Sequence, residues 1–486
     1  MQFLKNIDKG EAQKKQSQKI ERELPYFITI VSLLAASGFG PYTIFQKIKE
    51  IRLLPIMRIE AIKILKRIDL LGTDPLTAIT ETKEKQASRS LGEFLSGYVS
   101  AIQSGGNVAN YLKTKMKGTY EILENREKNS VEKLSGVIHG WLTAQVVMLA
   151  VFILISAIGS NPLTGSGNQT NSDPPYALLI IGPIISLVFM IIVKGMINST
   201  IPEVEIKKTI IFGIPSVLVA SILIITKVLA SLQIDPYILG ASLIVASIWP
   251  ALKFKKIYRI NIDAETATPQ ILRDITEARK AGMGPEKCII RACKRKDFKS
   301  FNSLANAVAN KLEWGVMLNS IYEVIEKEVK HFQVLISFKI LFEIISAGGG
   351  NVNSLDSLAD ASEKIHDIEK NKREMLKPYV IVGFMIITVT GFTTLITLDS
   401  FATINEEKNL GKGTQPVANQ PDSFIGTVSV ALIMQAWLSG LFIGKITKGA
   451  YSGGFMYSIT LVIITMMCIG LIQLHIVNFN SLLKHS

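Results

Sequence analysis

The sequence predicts an all-α polytopic membrane protein, with two homologous cytoplasmic helical-bundle domains and about seven transmembrane helices. Three observations predict it. Outside the most apolar stretches, hydrophobic residues recur at three- and four-residue spacing, and no segment of 1–136 alternates with period two over a useful length. Seven apolar stretches approach or reach the length that crosses a bilayer. One region also occurs twice: Ser104-Gly105-Gly106-Asn107-Val108 returns as Gly348-Gly349-Gly350-Asn351-Val352, 244 positions later. At the same offset Pro25 meets Pro269, Gly38 meets Gly282, Gly40-Pro41 meets Gly284-Pro285, and Phe94 meets Phe338. Gly72 meets Gly315 one residue out of step. Glycine and proline mark places of demanding backbone geometry, so matches among them carry information. A repeat of roughly 95 residues is too long for a solenoid unit and reads as two copies of one small domain.

In chain order, residues 1–22 form a charged, Gln-rich cytoplasmic segment with no apolar signal-peptide core. The first helical domain spans 23–136. Its first helix carries Leu24, Phe27, Ile28, Val31, Leu34 and Ala35 on one face and stops at Gly38. Pro41 then suits a first helical turn. Helices are expected at about 56–69, 75–89 and 90–103, the second capped by Thr73-Asp74-Pro75. Gly105-Gly106 closes the last of these, and Asn107 caps the helix that leads to the first span. Four transmembrane helices occupy 137–252, at about 137–158, 176–193, 210–226 and 237–252. The third and fourth are short and carry Gly213-Ile214-Pro215 and Gly240. The second helical domain spans 253–378, with Ile271, Leu272, Ile275 and Ala278 on one face and a stop at Gly282. Three more spans, at about 379–398, 424–443 and 455–475, fill 379–486 and leave an external C-terminal tail.

Charge sets the expected orientation. With the N-terminus inside, 49 of the 53 Lys and Arg fall on the cytoplasmic side, short loops included. Only Lys227, Lys408, Lys412 and Lys484 fall outside.

The sequence contains no catalytic constellation. Gly411-Lys412-Gly413-Thr414 lacks the upstream glycine and strand of a phosphate loop. The five histidines form no zinc motif, and Cys288, Cys293 and Cys468 match no metal spacing. The spans hold no acidic group for proton transport or membrane proteolysis. The expectation is therefore a non-enzyme with no catalytic residue, no metal and no cofactor. Two charged features stand out in the second domain. Lys287, Arg291, Lys294, Arg295 and Lys296 form a basic stripe, and Arg273, Glu277, Arg279 and Lys280 lie on a mixed-charge helix. The first domain has Lys47, Lys49, Arg52, Arg58, Lys63, Lys66 and Arg67 in the region comparable to the stripe. Ion pairing at i,i+4 fits the mixed-charge helix; a solvated face, anionic lipid headgroups and an acidic protein partner all fit the basic patches. Nucleic acid does not, because stacking aromatics are absent from them. The turn elements Gly105, Gly106, Asn107, Gly282, Gly349, Gly350 and Asn351 are candidate caps or hinges.

The duplicated helical domain, with Leu24-Pro25 at its start, a helix stop at Ser37-Gly38 or Ala281-Gly282 and the Gly-Gly-Asn turn, resembles the type II secretion system F-domain family. Pro269, Leu272-Arg273-Asp274-Ile275 and Glu277-Ala278-Arg279-Lys280-Ala281-Gly282-Met283 are similar to the archaeal platform protein of the archaellum. Two fused domains and seven spans fit that branch better than the shorter bacterial pilus platform. The resemblance implies a non-enzymatic membrane platform for assembly of a type IV pilus-like filament. It implies a hexameric secretion ATPase docked on the cytoplasmic domains, pilin- or archaellin-like subunits, membrane lipids and a homodimer. Because the charges from Arg273 to Lys280 have no counterpart in Phe27–Ser37, the second domain is expected to dominate docking. A transporter or channel, or a scaffold for an unrelated cytosolic partner, are the competing classes.

Overall fold

The computed structural model describes residues 2–84, 88–159, 176–197, 235–295, 297–346, 348, 350–410 and 420–473, and these contain helices and no strand. The expected span at 210–226, with Gly213 and Pro215, lies outside the described residues, as do Lys227, Lys412, Lys484 and the loop at 160–175. The first copy contributes α1 (Gln2–Ala36), α2 (Pro41–Glu50), α3 (Pro55–Leu71), α4 (Pro75–Glu84), α5 (Arg89–Gln103) and α6 (Val108–Gly159). After α7 (Tyr176–Met196), the second copy contributes α8 (Asp235–Lys280), α9 (Pro285–Arg295), α10 (Asn302–Glu313), α11 (Leu318–Glu328), α12 (Phe332–Ser346) and α13 (Val352–Leu410). Helices α14 (Gln420–Lys448) and α15 (Phe455–Gln473) complete the chain. Each helix of the first copy has one successor in the second, in the same order. The ends correspond too: Gly38 and Gly282 sit at φ 91° and 84°, left-handed geometry that a Cβ disfavours. Helix α1 begins well before Leu24 and carries Pro25 inside it.

The chain divides into two compact units. One comprises residues 1–128 and 259–371; the other comprises 129–258 and 372–486. The first unit holds both copies around one apolar cluster. Phe27, Ile28, Val31 and Phe94 from the first copy join Ile271, Leu272, Ile275 and Phe338 from the second. The most interior helix is α12, buried along nearly its whole length, including Gln333, Ser337 and Glu343. Mostly apolar and buried on every side, it offers no broad polar face to water. Contacts between the copies are specific: Tyr26 meets Phe332 edge-on at 4.9 Å, and Ser37 donates to Ser354 at 3.0 Å. Lys47 pairs with Glu343 at 3.1 Å, and Lys364 pairs with Glu124 at 2.7 Å.

Half-buried Glu23 of α1 receives the first turn of α3, accepting from Ile56 N at 3.0 Å and Met57 N at 2.8 Å. A carboxylate there occupies a helix N-terminus, where amides lack partners. Desolvation nonetheless dominates and raises its pKa above 4.5, with the two amides pulling the other way.

The second unit gathers the apolar helices. Four helices are long and apolar enough to cross a membrane, the qualifying stretches lying in α6, α8, α13 and α14; shorter apolar stretches fill Ile181–Met196 and Phe455–Leu471. These describe a multi-pass membrane protein, with the expected count of seven not established among the described residues. A buried amide and hydroxyl cluster ties three of these helices: Gln435 Nε2 donates to Gln145 Oε1 at 2.9 Å and to Ser186 Oγ at 3.0 Å. Helices α14 and α15 touch backbone to backbone at Gly440 and Gly444. A Cβ on Gly444 would lie 2.0 Å from Gly454 Cα. Small residues four apart permit such an approach between apolar helices.

Two outcomes are expected. Gly444→Ala forces α14 from α15 and lowers the thermal midpoint of the detergent-purified protein by several degrees, an overpacking cost of about 1–3 kcal/mol; an unchanged midpoint contradicts the close packing. Glu23 contributes most stability below pH 4.5, and that contribution falls as pH rises through its raised folded pKa. Glu23→Gln should therefore gain on the natural protein as pH rises from 4.5, and a pH-independent difference in thermal midpoint would contradict it.

Candidate partner-binding face

The charged helix of the second copy is held by its own fold. Arg273 of α8 reaches three carboxylates on α13: Asp356 at 3.5 Å, Asp360 at 2.9 Å and Glu363 at 2.7 Å. Their spacing of four and three places all three on one side of α13. Lys280 joins Glu277 at 3.2 Å and Asp356 at 3.3 Å. Arg279 donates to the carbonyls of Gly350 at 3.2 Å and Met283 at 2.9 Å. It thus joins two features that are far apart in sequence, the charged helix and the glycine-rich turn. In that turn Gly350 has φ 73°, and Asn351 Oδ1 accepts from Asn353 N at 3.1 Å. Gly349 lies outside the described residues. In the first copy Gly105 has φ 65°, Gly106 follows it exposed, and Asn107 Oδ1 accepts from Asn110 N at 3.0 Å.

The basic stripe on α9 splits. Arg295 pairs with largely buried Asp274 at 2.8 Å, and Lys294 pairs with Glu313 at 2.7 Å. Lys296 lies outside the described residues. Lys287 and Arg291 are exposed and have no acidic partner among the described residues; Arg291 only touches the Met283 sulfur at 3.3 Å. On the inner side of α9, Cys288 and Cys293 are buried. Burial pushes the Cys293 thiol up to about 12, so it offers no thiolate near neutrality.

Two further features were not singled out from sequence. Between α1, α5 and α6, the first copy has an open groove of about 400 Å³ walled by Leu24, Ile28, Phe94 and Ile122, with Glu21 and Arg126 at its edge. The corresponding space in the second copy shrinks to about 10 Å³. There Glu265, the counterpart of Glu21, lies 3.1 Å from His366, the counterpart of Ile122, and 3.5 Å from His331. The 244-residue offset was the signal that could have found this pair. The second feature is a pair of exposed apolar corners. Leu70 and Leu71 end α3 at 76% and 70% exposure. Trp314 and Met317 flank the equivalent corner after α10 at 85% and 81%. Large apolar side chains offered to water at repeated positions mark interaction surfaces.

Among the described residues no three His, Cys, Asp or Glu side chains are placed to hold a metal. Among the described residues the geometry offers surfaces for binding.

Residues 27–158 match the family model for the type II secretion system protein F, a stretch covering the first bundle and its exit helix. An uncharacterized protein of Methanocaldococcus jannaschii is 21% identical over 414 residues, covering 76% of this chain and 67% of that protein. No solved structure matches.

Replacing Arg279 with Ala should destabilise the protein by about 1–3 kcal/mol, because two carbonyls lose a charged donor. Lys287→Ala should stay within about 0.5 kcal/mol. Chemical denaturation of both variants checks this; equal losses would contradict the division between structural and free charge.

Proposed function

We propose that this chain is a non-enzymatic membrane platform for assembly of a pilus-like filament. One observation carries the reading. The first bundle matches the protein F model, a second run of helices repeats its order and its turn residues, and the two share one core, while a separate unit gathers the apolar helices. The proposed orientation places the N-terminus and both copies in the cytoplasm and the C-terminus outside, as the Lys and Arg distribution suggests. A hexameric secretion ATPase docks on the cytoplasmic unit, and pilin- or archaellin-like subunits assemble against the membrane helices. The chain acts as a homodimer. Its filament is an archaellum or a related pilus, in keeping with the archaeal relative.

Docking combines apolar anchors with a charged rim. Trp314 and Met317 supply anchors, and Lys287 and Arg291 supply free positive charge. The engaged residues Arg273, Glu277, Arg279, Lys280, Lys294 and Arg295 hold the helices that present them. Helices α6, α8 and α13 each contribute residues to both units, so ATPase-driven displacement has continuous helical paths toward the filament site.

Co-purification in mild detergent at low salt, with captured proteins identified by mass, tests the reading. A secretion-type hexameric ATPase is expected in the eluate. Lys287→Glu with Arg291→Glu should lower its capture about fivefold or more, an effect that salt screens away. A folded, monodisperse protein that captures no such ATPase would overturn the platform reading.

A further inference from the structure

We propose that the second unit contains a pocket for the phosphate headgroup of an anionic membrane lipid. The pocket is a cavity of about 100 Å³ where α8 meets the turn between α14 and α15, lined by Phe254, Lys255, Tyr258, Lys448, Ser452 and Gly453 among others. Two lysines face this small space, and no acidic residue lines it. Neither lysine has a carboxylate within ion-pair distance among the described residues. The Lys448 ammonium lies 4.6 Å from the Tyr457 ring centre and 5.5 Å from that of Tyr258, with Gly453 O at 3.5 Å. Two π faces and a carbonyl orient the charge without neutralising it. Two like charges in one cavity repel, and an anion between them removes that cost.

Depth and surroundings select a lipid over a free anion. The apolar stretch 237–252 of α8 ends at Lys253, and the stretch 424–443 of α14 ends two residues before Lys445. The cavity therefore lies just beyond the last apolar turns of both helices, at the level of headgroups. Trp249, Tyr258, Tyr451 and Tyr457 cluster at that level, as aromatic side chains do at bilayer interfaces. Exposed Ile248, Leu252 and Met456 flank the pocket and offer apolar surface to an acyl chain. Basic pockets between membrane helices are suited to anionic headgroups. The inference rests on these helices crossing a bilayer and is independent of any ATPase.

The test uses the full chain in neutral detergent, with thermal midpoints read against added phosphatidylglycerol, phosphatidylcholine of the same acyl chains, or inorganic phosphate. Phosphatidylglycerol alone should raise the midpoint. Lys255→Gln and Lys448→Gln should each weaken its apparent affinity about fivefold, equivalent to about 1 kcal/mol per basic residue. Lys448→Arg should retain most of the response and shows that position 448 tolerates replacement. Native mass spectrometry of bound lipid gives the same comparison should Lys448→Gln fold poorly, with Lys255→Gln retaining less lipid than the natural protein. An equal response to phosphatidylcholine overturns the proposal, as does an undiminished response in the lysine variants. Full stabilisation by inorganic phosphate overturns the lipid assignment and leaves a free-anion site.

Discussion

The burial of α12 is the constraint on which the first unit depends. It is mostly apolar and buried along nearly its whole length, in a cluster to which both copies contribute. One carboxylate inside this helix makes the demand specific. Glu343 is almost fully buried and meets Lys339 at 2.9 Å on its own helix and Lys47 at 3.1 Å from the other copy. A buried charge left without partners costs several kcal/mol, so separating the copies would strand Glu343 with half its compensation. The copies are thereby joined by electrostatics as well as by apolar area.

Much of this was legible in the sequence, because the informative residues are locally determined. Gly38 and Gly282 stop helices through their own backbone geometry, and Asn107 and Asn351 cap helices through bonds two or three residues away. Such rules need no knowledge of tertiary structure. What was not legible depends on residues distant in the chain. The partners of Arg273 could not be read from its own helix because Asp356, Asp360 and Glu363 lie more than eighty positions on. The same holds for Arg279 and the Gly350 carbonyl. A helical stripe of charge shows which residues share a face; it does not show whether another helix already covers that face.

The two runs of helices agree in their core and differ at the groove. In the core, Phe94 and its counterpart Phe338 are both aromatic and buried. The groove is open in the first copy and almost filled in the second. In the second copy His331 and His366 close on Glu265; in the first, Ile122 stays 60% exposed beside an open groove. Equivalent positions thus support different surfaces on one scaffold.

The corners reverse this logic. Nothing inside the unit requires Leu71 or Trp314 to be apolar, since both point into water at the same turn of each copy. The glycines beside them, Gly72 at φ 65° and Gly315 at φ 74°, already end the helices without help from those side chains. Apolar exposure on this scale brings no stability and invites aggregation. An internal cause would have to act through burial, and neither corner is buried. Under the proposed function these corners are where a partner surface would cover the chain on assembly. Lys287 and Arg291, the charges left unpaired when the rest of the stripe is used by the fold, point to the same conclusion from electrostatics.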